Sequence, residues 1–158
     1  MKRAILLLSA VPAMLALFGC PSESQKVEVS SGDPRSREIA RHLVDLKAND
    51  PQVQAEAARQ LGNMRAESGG AISALKDGLT DDSPIVRQAS AQALADIGTY
   101  DALSALRDTS HRGWPEARDT YNSVTKDLRS QSQAGDMGAR NLLDRLGEKG
   151  LRHTGAQQ

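Results

Sequence analysis

Residues 51–64 read PQVQAEAARQLGNM and residues 84–97 read PIVRQASAQALADI, two stretches that share one pattern at an offset of 33. Pro51 matches Pro84, Val53 matches Val86, Ala58 matches Ala91, Leu61 matches Leu94 and Met64 matches Ile97. Just before each copy, Asp50 or Ser83 can accept a hydrogen bond from a free N–H at a helix start. The proline then occupies the first helical position, where a missing N–H costs nothing. Val53, Ala57, Leu61 and Met64 fall on one helical stripe, as do Val86, Ser90, Leu94 and Ile97.

The match extends both ways. Upstream, Leu46 matches Leu79; downstream, AISAL from Ala71 matches ALSAL from Ala102 at an offset of 31, after a two-residue contraction. Ser68-Gly69-Gly70 and Gly98-Thr99 are read as the intervening turns. The second helices carry Ile72, Leu75 and Leu79 in one copy and Leu103 and Leu106 in the other. Antiparallel helix pairs repeated every 31 to 33 residues form a solenoid, in which each unit buries its face only against its neighbours. The predicted fold is therefore all-α, a short α-solenoid. At its flanks, Ile39, Leu43 and Leu46 predict a preceding helix. Trp114-Pro115 opens a following one with Ala117, Tyr121, Val124 and Leu128, and Arg118 falls 31 residues after Arg87. A last short helix is expected from Asp136 to Leu146.

Composition agrees. Beyond the first twenty residues the aromatic side chains are Tyr100, Trp114 and Tyr121. A core must then be built from Ala, Leu, Val, Ile and Met, which suits closely packed helices better than a sheet. The whole chain is neutral, with 20 basic and 20 acidic residues; without Lys2 and Arg3 it carries a net charge of −2. A nucleic-acid partner, which needs a basic patch, is not expected.

The repeat resembles the HEAT repeat, particularly the short bacterial form of phycobilin lyases, over roughly residues 37–129. The best copy, DSPIVRQASAQALADIG, carries the family's Asp, Val-Arg, small residues, Leu and Gly as Asp82, Val86, Arg87, Ala91, Leu94 and Gly98. The resemblance implies that Asp82 and Arg87 form a polar ladder between neighbouring repeats. The preceding copy has Asn49 and Gln54 at those positions. It also implies that the second helices line the binding face, which makes Lys76, Asp77, Arg107 and Asp108 candidate protein contacts.

The chain begins MKRAILLLSAVPAMLALFGC. Lys2 and Arg3 form a positive region before an uncharged apolar run from Ala4 to Phe18, the pattern of a secretory signal. That run falls short of the roughly 20 residues a membrane-spanning helix needs. Its end, Leu17-Phe18-Gly19-Cys20, resembles the lipobox of bacterial lipoprotein precursors. The resemblance implies cleavage between Gly19 and Cys20, a diacylglycerol on the Cys20 thiol, and a further fatty acyl group such as palmitate on the new amino terminus. Cys20 is the only cysteine, so no disulfide forms within the chain. An ordinary secretory signal is the alternative reading, but it leaves the odd cysteine without a purpose.

The organisation expected is a signal peptide at 1–19, a lipidated cysteine and flexible tether at 20–35, the repeat domain at 36–146 and a disordered tail at 147–158. The tether's polar composition cannot offset ordering entropy by burial. Pro21, rather than an aspartate, after the cysteine points to the periplasmic face of the outer membrane in an organism with two membranes.

No residues with the pattern of a catalytic centre emerge. His42, His111 and His153 are not spaced as a metal pair, and neither a nucleophile elbow nor a phosphate-binding loop is present. No enzyme activity, cofactor, metal or small-molecule substrate is expected. Trp114 is read as core packing between units, and Asp81-Asp82 as a cap matched to a helix dipole. The function expected is protein–protein interaction at the membrane, as an adaptor or assembly factor whose partner is another envelope protein. The alternatives are a structural envelope lipoprotein and an accessory subunit related to HEAT-type lyases.

Overall fold

The computed structural model describes residues 33–148, which contain seven helices and no strand. In chain order these are α1 (Pro34–Asp45), α2 (Pro51–Asn63), α3 (Gly69–Gly78), α4 (Pro84–Ile97), α5 (Tyr100–Ser110), α6 (Pro115–Gln133) and α7 (Met137–Arg145). The short α-solenoid is thus the observed architecture. The signal, Cys20 and most of the tether and tail lie outside the described residues. α1 begins at Pro34, so Pro34 and Arg35, counted above with the tether, belong to the first helix.

Local chemistry fixes the helix ends. Proline opens α1, α2, α4 and α6, where its fixed φ and missing donor suit the first turn. Asp50 accepts from the N–H of Gln52 at 2.8 Å. Ser83, by contrast, makes no side-chain cap; its own N–H donates to Asp81 Oδ1 at 2.8 Å. Ser68 accepts from Ala71 and Thr99 from Ala102. Gly69 and Gly70, read as turn residues above, form the first turn of α3, because Ser68 already serves as its cap. After α4, Gly98 turns the chain in the left-handed region at φ +67°. Arg65 occupies the equivalent place after α2 and adopts φ +47°.

The helices form two layers. α2, α4 and α6 lie side by side in one; α1, α3 and α5 form the other, and α7 packs on α6. The core between them is rich in alanine and leucine: Ala58, Leu61, Leu75, Leu94, Ala102 and Leu106 are all fully buried. The α2–α4 pairing is the most extensive in the molecule. Small residues permit it, since a Cβ added at Gly62 would lie 2.7 Å from Ala93 Cα. Gly78 does the same between α3 and α4, where an added Cβ would meet Ser90 Oγ at 2.3 Å.

The predicted stripes differ at one end. Val86, Ser90, Leu94 and Ile97 of α4 are all buried. In α2 only Ala57 and Leu61 are, while Val53 is 41% exposed. Val86 sits beside Gly78, and the residue equivalent to Gly78 in the preceding copy is Asp45. A carboxylate there stands where α4 requires a glycine. α1 itself has no fully buried residue and is held to α2 by side chains. Arg35 donates to the carbonyl of Met64, and Gln54 donates to that of Leu46 at 3.2 Å.

Candidate interaction surface

Arg87 links successive repeats. Its Nη1 donates to the carbonyls of Asp81 and Asp82 at 2.8 and 3.0 Å. Its Nη2 and Nε donate to Glu116 Oε1 on α6 at 2.8 and 3.2 Å. The guanidinium also lies 5.1 Å from the centroid of the Trp114 ring, a favourable cation–π distance. Asp82 takes part through its backbone carbonyl, and its carboxylate makes no bond to Arg87. The acidic partner is Glu116, a residue that no repeat spacing marked in the sequence.

Arg87 and Glu116 are both about 15% exposed, at 14% and 15% of their side-chain areas. The hydrogen bond from Arg87 holds the Glu116 carboxyl below its ordinary range, against a smaller opposing effect of burial. Glu116 Oε2 is buried with no hydrogen-bond partner. Among the described residues the link is not repeated. In the first copy Gln54 stands in place of Arg87, and Ile85 of α4 stands where α6 has Glu116. In the third, Arg118 bonds its own neighbour Asp119 on the surface. Trp114 is partly buried against the core, which agrees with a packing role.

The four residues assigned to a contact face are not alike. Lys76 and Asp77 are exposed on α3, and Asp108 is exposed on α5. Arg107 is committed instead to holding the end of α7. Its Nη1 donates to the carbonyl of Leu146 at 2.9 Å, and its Nη2 to Asp108 Oδ1 at 3.0 Å. Glu148 fastens the same end, accepting from Tyr121 Oη at 3.2 Å and from Arg129 at 2.5 Å. Burial, reinforced by the Glu148 charge, pushes the Tyr121 hydroxyl up to about 12.

Two recesses lie elsewhere. One, of about 590 Å³, opens beside α1 and α2 and is lined by Val53, Ala57, Glu38, His42 and Asp45 among others. The other, of about 670 Å³, runs between α4 and α6. Among the described residues no three His, Cys, Asp or Glu side chains converge as metal ligands do. No described helix is long and apolar enough to cross a membrane.

The sequence model described as HEAT repeats matches residues 40–120. No curated protein matches the chain.

Proposed function

The chain belongs to the HEAT-repeat family, and on that premise we propose that it is a membrane-anchored lipoprotein whose solenoid binds another envelope protein as a non-enzymatic adaptor or assembly factor. HEAT repeats generally mediate protein–protein interaction, and their fold is typically a non-catalytic scaffold. The repeat match carries the interaction part of this reading. The anchor rests on the leader, which ends Leu17-Phe18-Gly19-Cys20 and holds the chain's one cysteine. Two or three acyl chains on that residue give stable attachment where a single chain would not. Pro21, standing where an aspartate would signal retention, favours the periplasmic face of the outer membrane in an organism with two membranes.

Mass spectrometry of the protein from its native membrane tests the anchor. The expected product begins at Cys20 and carries acyl chains, and Cys20→Ser should accumulate as an uncleaved, unlipidated precursor. A mature chain that starts elsewhere and carries no lipid would sink the lipoprotein reading. The adaptor role is tested by photocrosslinking in intact cells from exposed positions on both layers, Lys76 and Ser123. A discrete protein adduct is expected; its absence from both positions would leave an envelope component without a dedicated partner.

A further inference from the structure

The groove between α4 and α6 lies where the repeat places larger residues than it does at the α2–α4 crossing. Between α2 and α4 the crossing uses Gly62 on one side and Ala89 and Ala93 on the other, all buried. One repeat on, the equivalents are Ala95 on α4 and Thr120 and Val124 on α6. Larger side chains at a crossing oppose the close approach that Gly62 permits, since packed interiors do not absorb extra volume. The pairing of α4 with α6 is correspondingly less extensive than that of α2 with α4. The recess there has a volume of about 670 Å³.

Its lining has a definite chemistry. Ile97, Leu103, Val124, Leu128 and Leu142 supply an apolar floor. Asp96, Asp119 and Asp127 bring three carboxylates, against Arg65 as the cationic side chain of the lining. Asp96 accepts from Gln92 Nε2 at 2.9 Å, and Asp119 is paired with Arg118 at the rim at 3.1 Å, which leaves Asp127 as the unengaged carboxylate among the described residues. Asp127, Gln88 and Gln131 make no side-chain hydrogen bond or ion pair among the described residues.

The ends of the first layer are built differently. Glu56 and Gln60 of α2 stand where Ala89 and Ala93 of α4 receive a neighbouring helix, and Gln60 Nε2 is bonded to Glu56 Oε1 at 2.7 Å. On α6 the place of Gly62 and Ala95 is taken by Lys126, which is exposed. Polar residues at both ends oppose stacking of a second copy, as terminal repeats of a solenoid do.

Resting on the reading of the chain as a protein-interaction module, we propose that the α4–α6 groove receives a segment of another protein that bears Lys or Arg beside an aliphatic side chain. The aliphatic group covers the leucine-lined floor. The cation faces Asp127, with Asp119 beside it still paired to Arg118 through one oxygen, and the glutamine amides can donate to and accept from the segment's backbone. Contact thus falls on the first-helix layer, away from Lys76 and Asp77 on α3.

The test uses the full chain in detergent and a phage library of random dodecapeptides. Enriched peptides should carry Lys or Arg next to Leu, Ile or Val. Fluorescence anisotropy with those peptides should show affinity falling about tenfold in Asp119→Asn/Asp127→Asn, a loss equivalent to roughly 1.4 kcal/mol. Binding should vanish in Ser123→Trp, whose new ring fills an exposed position of the groove. It should stay unchanged in Glu38→Gln/Asp101→Asn, exposed carboxylates on α1 and α5 outside the groove. Circular dichroism confirms each variant's fold. Acidic or neutral enriched peptides, no enrichment, full binding by Ser123→Trp, or equal loss in the control pair would overturn the groove. So would binding seen only after Lys149→Ser/Arg152→Ser, which would make the chain's own basic tail the occupant. In intact cells, a partner crosslinked from Lys76 but not from Ser123 would remove the groove while leaving the adaptor reading in place. No partner from either position would remove the adaptor reading itself.

Discussion

Arg65 and Ser90 each sit at a position where the repeat pattern and the local physics pull apart. Arg65 falls in the register of Gly98, and both residues adopt positive φ, at +47° and +67°. A side chain with a Cβ is disfavoured there, whereas glycine is not. Arg65 is exposed, and its side chain makes no bond among the described residues. Arg65→Gly should therefore raise stability by roughly 0.5–1 kcal/mol, measured as a shift of the urea midpoint at constant slope. Ser90 is fully buried, and its hydroxyl has no partner. It lies against Gly78, whose missing Cβ makes room for the oxygen. Removing an unsatisfied buried hydroxyl relieves its desolvation penalty, and alanine is the better helix former. Ser90→Ala should stabilise by about 1 kcal/mol. Loss of stability in that variant would mean that the hydroxyl holds a bond not visible in this conformation.

At the scale of elements, the α2–α4 crossing depends on Gly62. A methyl at that position would press on the backbone of Ala93 rather than on a movable side chain, at 2.7 Å from its Cα. Helix propensity favours Gly62→Ala by up to about 1 kcal/mol, but overpacking typically costs about 1–3 kcal/mol. The net expectation is a loss of about 1–2 kcal/mol, read by denaturant unfolding. The equivalent Ala95, partly buried beside the groove, has room that Gly62 lacks. An increase in stability for Gly62→Ala would show that the two helices can separate freely, and would remove the contrast with the α4–α6 pairing.

Across the whole molecule, Arg87 and Glu116 reinforce the apolar packing between the second and third units, in which Ala117 and Tyr121 of α6 are buried. The folded Glu116 carboxyl lies below its ordinary value of 4.5, principally because of the Arg87 hydrogen bond. A depressed folded value means that the unfolded chain takes up the proton first. The stabilisation is therefore present above about pH 4.5 and is lost as pH falls through the lower folded value. Unfolding curves at pH 7, 5 and 3 should show the parent losing stability toward acid more steeply than Glu116→Gln. At pH 7 that variant should itself be less stable, since Arg87 loses its charged partner. Parallel pH profiles for the two chains would mean that the pair contributes nothing to cohesion. Among the described residues the tie is local to this junction, because Ile85 stands opposite Gln54 and Arg118 is bonded to its own neighbour Asp119.

Proline at the helix starts, the leucine stripes and the 33-residue offset were enough to place the helices and the solenoid, because solenoid packing depends on contacts between neighbouring units that the repeat itself encodes. The sequence likewise marked Arg87 as a residue between repeats; the signal and lipidated Cys20 expected from it lie outside the described residues and stand as a proposal. Other features arose only from three-dimensional packing. Glu116 became the partner of Arg87 because α6 brings it there, 29 residues away, at a distance no repeat spacing foretells. Arg107, grouped by sequence with Lys76 on an open face, was drawn to the carbonyl of Leu146, because that helix end needed a donor. The groove was hidden for a related reason: Ala95, Thr120 and Val124 look like ordinary core substitutions of Gly62, Ala89 and Ala93. Their effect is on how extensively two helices pair, and that exists only once the helices have packed against each other.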